Sequence, residues 1–148
     1  MIFRKRAKPS GPKVAPLTPA ENTWRDQQLL VARAVAERYT GASEDPPSLE
    51  RLDATVAAWL ADDDTRVDVN TLVNAVGIAF GWHLAGAAGL GWVIATDEHG
   101  TDLALHRAAG DVLVFPANVV AKRVVAGETG FVRALFESYR TALPPAPR

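Results

Sequence analysis

The chain has 148 residues, of which 48% are hydrophobic and 22% are charged, as expected for one globular domain with a substantial core. It contains no cysteine, which excludes disulfides, thiolate zinc sites and cysteine nucleophiles. Residues 1–16 hold five basic side chains and no acid, a charge of +5, whereas the remainder holds 11 basic and 17 acidic side chains, a charge of −6. The folded part is therefore mildly acidic and lacks the broad basic face of a nucleic-acid binder.

Both ends of the chain differ in composition from its middle. Residues 1–17 are rich in basic residues and proline, and they are predicted to form a disordered basic tail. No apolar run typical of a secretory signal follows the basic residues, and with the absence of cysteine this indicates a cytoplasmic protein. Residues 144–148 are predicted to form a short Pro-rich tail, which leaves residues 18–143 as a single domain.

The first half of the domain is predicted to be helical. Thr18-Pro19-Ala20-Glu21 has the pattern of a capping box with proline in the first turn, and Gly41 is a natural end for that helix. Ser48 and Asp68 are predicted to cap a second and a third helix, because apolar residues recur at spacings of three and four after each of them.

Residues 72–96 carry no Asp, Glu, Lys or Arg and are long enough to span a bilayer. Five glycines, Asn74 and His83 interrupt this run, and the apolar period changes from helical to alternating near Gly89. We therefore predict a buried helix, a glycine turn and a buried strand, and no membrane span.

The second half is predicted to contain strands and then helices. Residues 92–96, 101–106 and 112–115 alternate in polarity and are joined by short turns, which predicts an antiparallel meander. Pro116 and Thr129 are predicted to open two further helices. The predicted fold class is α+β, with three N-terminal helices, a three-stranded antiparallel meander and two C-terminal helices.

Several short motifs between residues 77 and 128 follow one another in the same order as in a known protein family. They are Gly77-Ile78-Ala79-Phe80-Gly81, Gly91-Trp92, Asp97-Glu98-His99-Gly100, Leu103-Ala104-Leu105, Phe115-Pro116, Lys122-Arg123 and Gly127-Glu128. In these motifs the chain resembles a bacterial family catalogued as domain of unknown function 3806. The family often has an acidic residue where this chain has Trp82. The resemblance implies the fold and brings no established activity.

The sequence predicts no catalytic residue, metal site or cofactor. The glycines at 86, 89 and 91 follow a helix and precede a strand, which is the reverse of the order in a dinucleotide-binding loop. The acidic residues 62–70 lack the glycine and the glutamate of a calcium loop. His83, His99 and His106 lack the spacing of zinc ligands.

Two tryptophans are predicted to have different roles. Trp92 lies on a strand packed against the third helix and is expected in the core. Trp82 falls beside the apolar stripe of that helix, either as an exposed anchor for a partner or as cover for the edge of the core. A partner or ligand surface is predicted at Trp82, His83, Asp97, His99, Lys122 and Arg123.

Lys122 and Arg123 allow three interpretations. They could hold an anionic ligand, lie on a solvated helix face, or pair with Asp97 or Asp102. The leading hypothesis is a non-catalytic interaction or regulatory domain that binds a protein partner or a second copy of itself. The alternative is a small-ligand-binding domain with a pocket near Lys122 and Arg123, and a third hypothesis is a hydrolase or metal-dependent enzyme.

Overall fold

The computed structural model describes residues 11–145, which form an α+β fold with five helices and a four-stranded sheet. This confirms the predicted fold class. In chain order, the elements are β1 (Lys13–Pro16), α1 (Pro19–Thr40), α2 (Leu49–Ala61), α3 (Val69–Ala88), β2 (Gly91–Asp97), β3 (Gly100–Arg107), β4 (Val112–Val114), α4 (Pro116–Val125) and α5 (Val132–Ala142).

The sheet has the strand order β1-β2-β3-β4, and every neighbouring pair is antiparallel. Trp92 on β2 lies opposite Leu105 on β3, and Leu105 lies opposite Val114 on β4. These three side chains share the sheet face that packs against the core, because residues directly opposite each other point to the same side. The meander of the last three strands is as predicted, and β1 adds a fourth strand.

The prediction of disorder for residues 1–17 is wrong for β1. Lys13 lies opposite Thr96 of β2, and Pro16 lies opposite Val93. All four residues of β1 are exposed, so backbone pairing with β2 rather than apolar burial holds the strand. A composition rule that depends on burial cannot detect such a strand. Residues 1–10 of the predicted tail lie outside the described residues.

The predicted caps of the first three helices are confirmed. The Thr18 backbone N–H donates to Glu21 Oε1 over 2.8 Å, and the Glu21 backbone N–H donates to Thr18 Oγ1 over 3.4 Å. Ser48 accepts from the N–H of the third residue after it, and Asp68 accepts from two N–H groups of α3. Each side chain satisfies a donor that the helix itself leaves free.

The predicted cap of the last helix is wrong, since α5 begins at Val132 rather than just after Thr129. Phe131 occupies the N-cap position and makes no side-chain cap bond. Instead, Asp53 of α2 accepts from the Val132 N–H over 2.7 Å and from the Arg133 N–H over 3.0 Å. A carboxylate from another helix therefore takes the place of a local cap.

The helix α3 lies at the centre of the fold and contributes ten buried residues. By length and composition alone it could cross a membrane. However, 56% of its most apolar window is buried inside the fold. The buried core helix of a globular domain has the same length and composition. Its last turn ends at Gly89, whose positive φ of 67° closes the helix before β2.

Two glycines on α3 allow close packing. A Cβ atom at Gly77 would lie 2.5 Å from the Ala117 Cα atom of α4. At Gly81 it would lie 2.7 Å from the Trp92 ring and 3.0 Å from Pro116. The absence of side chains at these two positions therefore lets α4 and the sheet approach the backbone of α3.

The loop between α2 and α3 is held by Asp62. Its carboxylate accepts from the Thr65 N–H over 3.2 Å and from the Tyr39 hydroxyl over 3.0 Å, and Arg38 lies 3.7 Å away. The hydrogen bond from the Thr65 backbone N–H is the main cause of the lowered pKa of Asp62. The hydrogen bond from the Tyr39 hydroxyl and the positive charge of Arg38 lower this pKa further. The loop is thus fixed in place although it is exposed.

Candidate functional site

An open depression of about 560 Å³ lies where the C-terminal half of α3 meets the start of β2. We call it the Trp82 depression. Its lining is mainly apolar and is made by Trp82, His83, Ala85, Gly86, Ala87, Leu90 and Trp92. Ala85, Gly86 and Ala87 of the last turns of α3 have little or no side chain, so the depression could accept an apolar side chain.

Trp82 leaves 44% of its surface exposed, which is compatible with either of the two roles considered for it. Its ring packs edge-on against the His83 ring, with 5.1 Å between the ring centroids. His83 Nε2 lies 2.8 Å from the Pro47 carbonyl oxygen. Since a carbonyl oxygen can only accept, Nε2 carries the proton and donates to it. His83 thereby ties α3 to the segment before α2 and orients the edge of the Trp82 depression.

Trp92 is half-buried rather than fully buried, although it packs against the core as predicted. The tip of its ring lies over Gly81, 2.7 Å from the position that an added Cβ atom would occupy. The rest of the ring faces the Trp82 depression. Trp92 therefore packs against the core and also lines the depression. Its place on an alternating strand did not indicate the second role.

Asp97 and His99 lie in a different depression, at the β2–β3 turn. It has a volume of about 340 Å³ and is also lined by Phe115 and Asn118 at the start of α4. The Asp97 carboxylate accepts from the His99 backbone N–H over 2.8 Å, as in an Asx turn. Asp97 lies five positions after Trp92 along an extended strand, a distance of roughly 16 Å. The structure does not join these residues to the Trp82 depression.

Lys122 and Arg123 lie in the last turn of α4. Lys122 is exposed and Arg123 is half-buried. Within residues 11–145, neither lies within 4.0 Å of a carboxylate, so the ion pair with Asp97 or Asp102, one of the three interpretations, is absent there. Neither residue lines the two depressions described above. The six predicted surface residues therefore fall on three separate parts of the fold.

Arg107 is a buried cation that the sequence did not reveal. It ends β3 and is 9% exposed. Its guanidinium donates to the carbonyl oxygens of Ala109 over 2.9 Å, of Ala88 over 2.6 Å, and of Pro144. The Ala88 carbonyl is at the C-terminal end of α3, where a positive charge is favourable. Arg107 thus joins the end of α3 and the C-terminal segment to the sheet, next to the Trp82 depression.

Acid–base or metal chemistry would need several titratable side chains close together. In the described part of the chain, no three His, Asp or Glu side chains come together in a way that could hold a metal ion. His99 lies 3.7 Å from Glu98 on the exposed β2–β3 turn.

The fold and these surfaces can be compared with known proteins. The sequence model of the domain of unknown function DUF3806 matches residues 49–136, which is more than half of the chain. The chain belongs to the DUF3806 family. The matched segment of DUF3806 runs from the start of α2 into α5 and contains Trp82, Trp92, Lys122 and Arg123. It confirms the resemblance seen in the sequence, and β1 and α1 precede it.

A crystal structure from Bacteroides thetaiotaomicron VPI-5482, determined at 1.50 Å resolution, has a similar fold, with a TM-score of 0.69 at 13% sequence identity. The similarity covers 88% of this chain and 48% of the other, so this DUF3806 chain spans about half the length of that structure. At this identity the similarity shows the fold alone. None of the curated proteins matches the sequence.

Proposed function

We propose that this chain is a non-catalytic interaction domain that holds an apolar side chain of a protein partner in the Trp82 depression. One observation carries the proposal: a tryptophan remains 44% exposed at an apolar depression whose lining also includes a second tryptophan. Exposed aromatic anchors next to a pocket are typical of the residues that contribute most to binding between proteins.

The surroundings of Trp82 support this function. His83 fixes one side of the depression through the Pro47 carbonyl, and the sheet fixes Trp92 on the other side. A depression with rigid walls loses little conformational freedom when a side chain enters it, which favours affinity. The same proposal includes a soluble, cytoplasmic location, in keeping with the mostly buried apolar window of α3.

The test compares two alanine variants in affinity capture from a lysate of the source cell. Trp82→Ala is expected to lose the captured partner while its free energy of unfolding falls by less than about 1 kcal/mol, because the side chain is partly exposed. Leu30→Ala is the matched control, since Leu30 is 58% exposed and lies on α1, away from the depression. It should capture as much partner as the wild type.

Two results would contradict the proposal. One is equal capture by the wild type and Trp82→Ala. The other is a loss of stability of several kcal/mol in Trp82→Ala, which would show that the indole is part of the core.

A further inference from the structure

The C-terminal segment of the chain leaves the fold beside the Trp82 depression. Arg107 donates one hydrogen bond to the Ala88 carbonyl oxygen at the end of α3 and another to the Pro144 carbonyl oxygen after α5. Since both bonds come from one guanidinium group, the two carbonyl oxygens lie within roughly 8 Å of each other. Ala87, the neighbour of Ala88 in the chain, lines the depression. Pro144 is therefore held close to the depression.

The last helix runs along the same side of α3. The ring of Phe80 on α3 lies 6.3 Å from the ring of Tyr139 on α5, measured between centroids. Ala87 follows Phe80 by seven positions, which is about two helical turns, so both residues lie on one face of α3. The segment after α5 thus reaches the end of α3 on the face that carries Ala87, an exposed residue of the depression.

The residues after Pro144 are long enough to enter the depression. Their sequence is Pro145-Ala146-Pro147-Arg148, and residues 146–148 lie beyond the described part of the chain. Four residues in a polyproline II conformation extend by about 12 Å. This length exceeds the separation between the Pro144 and Ala88 carbonyl oxygens, so the segment can pass the last turn of α3 and reach the aromatic lining.

The composition of this segment also matches the lining. Grooves lined by aromatic rings bind proline-rich segments, which lose little conformational freedom on binding because they are already extended and stiff. The depression offers Trp82 and Trp92, and residues 72–96 around it include no Asp, Glu, Lys or Arg. Residues 145–147 are likewise apolar and uncharged. We propose that residues 145–148 bind in the Trp82 depression of their own chain.

A partner that uses the depression then has to displace this segment, which lowers its apparent affinity. The proposal shares the lining of the depression with the proposed function but requires no partner. Each can therefore fail while the other stands, because one is tested on the purified chain alone and the other by capture of a partner.

The indole N–H resonances of the four tryptophans in a heteronuclear NMR spectrum of the full chain test the contact. A variant that combines Pro145→Ser with Pro147→Ser keeps the chain length and leaves the Pro144 carbonyl bonded to Arg107. The resonances of Trp82 and Trp92, each assigned by its replacement with Phe, are expected to shift in this variant. The resonances of the other two tryptophans should stay in place.

Pro12→Ser is the matched control. Pro12 precedes β1 and lies beside Thr96 and Asp97, at the opposite end of β2 from Trp92. The same change of residue type at this distance should leave all four indole resonances where they are in the wild type.

A synthetic hexapeptide with the sequence of residues 143–148 gives an independent test. It should shift the Trp82 and Trp92 resonances of the double-serine variant with an apparent Kd about tenfold lower than for the wild type, whose own segment competes with it. Unchanged Trp82 and Trp92 resonances in the double-serine variant would overturn the proposal. So would a hexapeptide that binds both proteins equally or shifts only the resonances of Trp24 and Trp59.

Discussion

Replacing Gly77 by alanine is expected to destabilise the protein by about 1–3 kcal/mol. The new methyl group would lie 2.5 Å from the Ala117 Cα atom, and a backbone atom cannot move aside as the end of a flexible side chain can. The helix α4 must therefore move away from α3, which opens the core between them. Urea denaturation monitored by circular dichroism measures the change in the free energy of unfolding.

Gly86→Ala is the matched control, because Gly86 lies on the same helix and nothing lies within 4 Å of its added Cβ position. Alanine is the better helix former, so this variant should be more stable than the wild type by about 0.5–1 kcal/mol. The two substitutions therefore have opposite expected signs. Equal stability of the two variants would show that α4 does not pack on Gly77.

Replacing Arg107 by methionine is expected to cost about 3 kcal/mol of stability. Methionine fills similar space but donates no hydrogen bond, so three bonds from a charged donor to the carbonyl groups of Ala88, Ala109 and Pro144 are lost. The end of α3 also loses a favourable positive charge. Urea denaturation again gives the free energy, and faster proteolysis near Pro144 should accompany the loss.

The variant Arg107→Lys separates the effect of the positive charge from the effect of the hydrogen-bond geometry of the guanidinium. Lysine keeps the positive charge at the end of α3, but its single ammonium group cannot reach three carbonyl groups as the planar guanidinium does. Its stability should lie between those of the wild type and Arg107→Met. If both variants unfold at the same urea concentration as the wild type, Arg107 does not hold these segments together.

The helices and the meander could be predicted because their signals are local. Thr18, Ser48 and Asp68 cap helices through bonds to residues two or three positions away, and such bonds follow from short sequence patterns. The change from helical to alternating period near Gly89 likewise marks the passage from α3 to β2. Each feature depends on neighbours along the chain.

The features that were missed depend on distant partners. The strand β1 is defined by residues 93–96, about 80 positions later, and has no buried side of its own. Asp53 caps a helix that begins at Val132, and Arg107 bonds to Pro144. Nothing in the local composition around Asp53 or Arg107 distinguishes them from surface charges, so only the fold reveals what they do.

The candidate site also combines features that depend on nearby residues with features that depend on distant ones. The place of Trp82 beside the apolar stripe of α3 is a local property, and it allowed the partial exposure that the structure shows. Which of Trp82, Asp97, His99, Lys122 and Arg123 lie together depends on which ends of the sheet and helices meet, and the structure places them on three separate parts of the fold. Trp92 was expected wholly in the core, because the sequence could not show that β2 begins at the edge of the Trp82 depression.

The most direct test of the interaction function is the affinity of the identified partner, measured by isothermal titration calorimetry. Binding is expected to be weaker by about 2 kcal/mol for Trp82→Ala, which raises the dissociation constant roughly thirtyfold. Leu30→Ala should bind as the wild type does. A dissociation constant that is the same for Trp82→Ala and the wild type would contradict the claim that the Trp82 depression holds the partner.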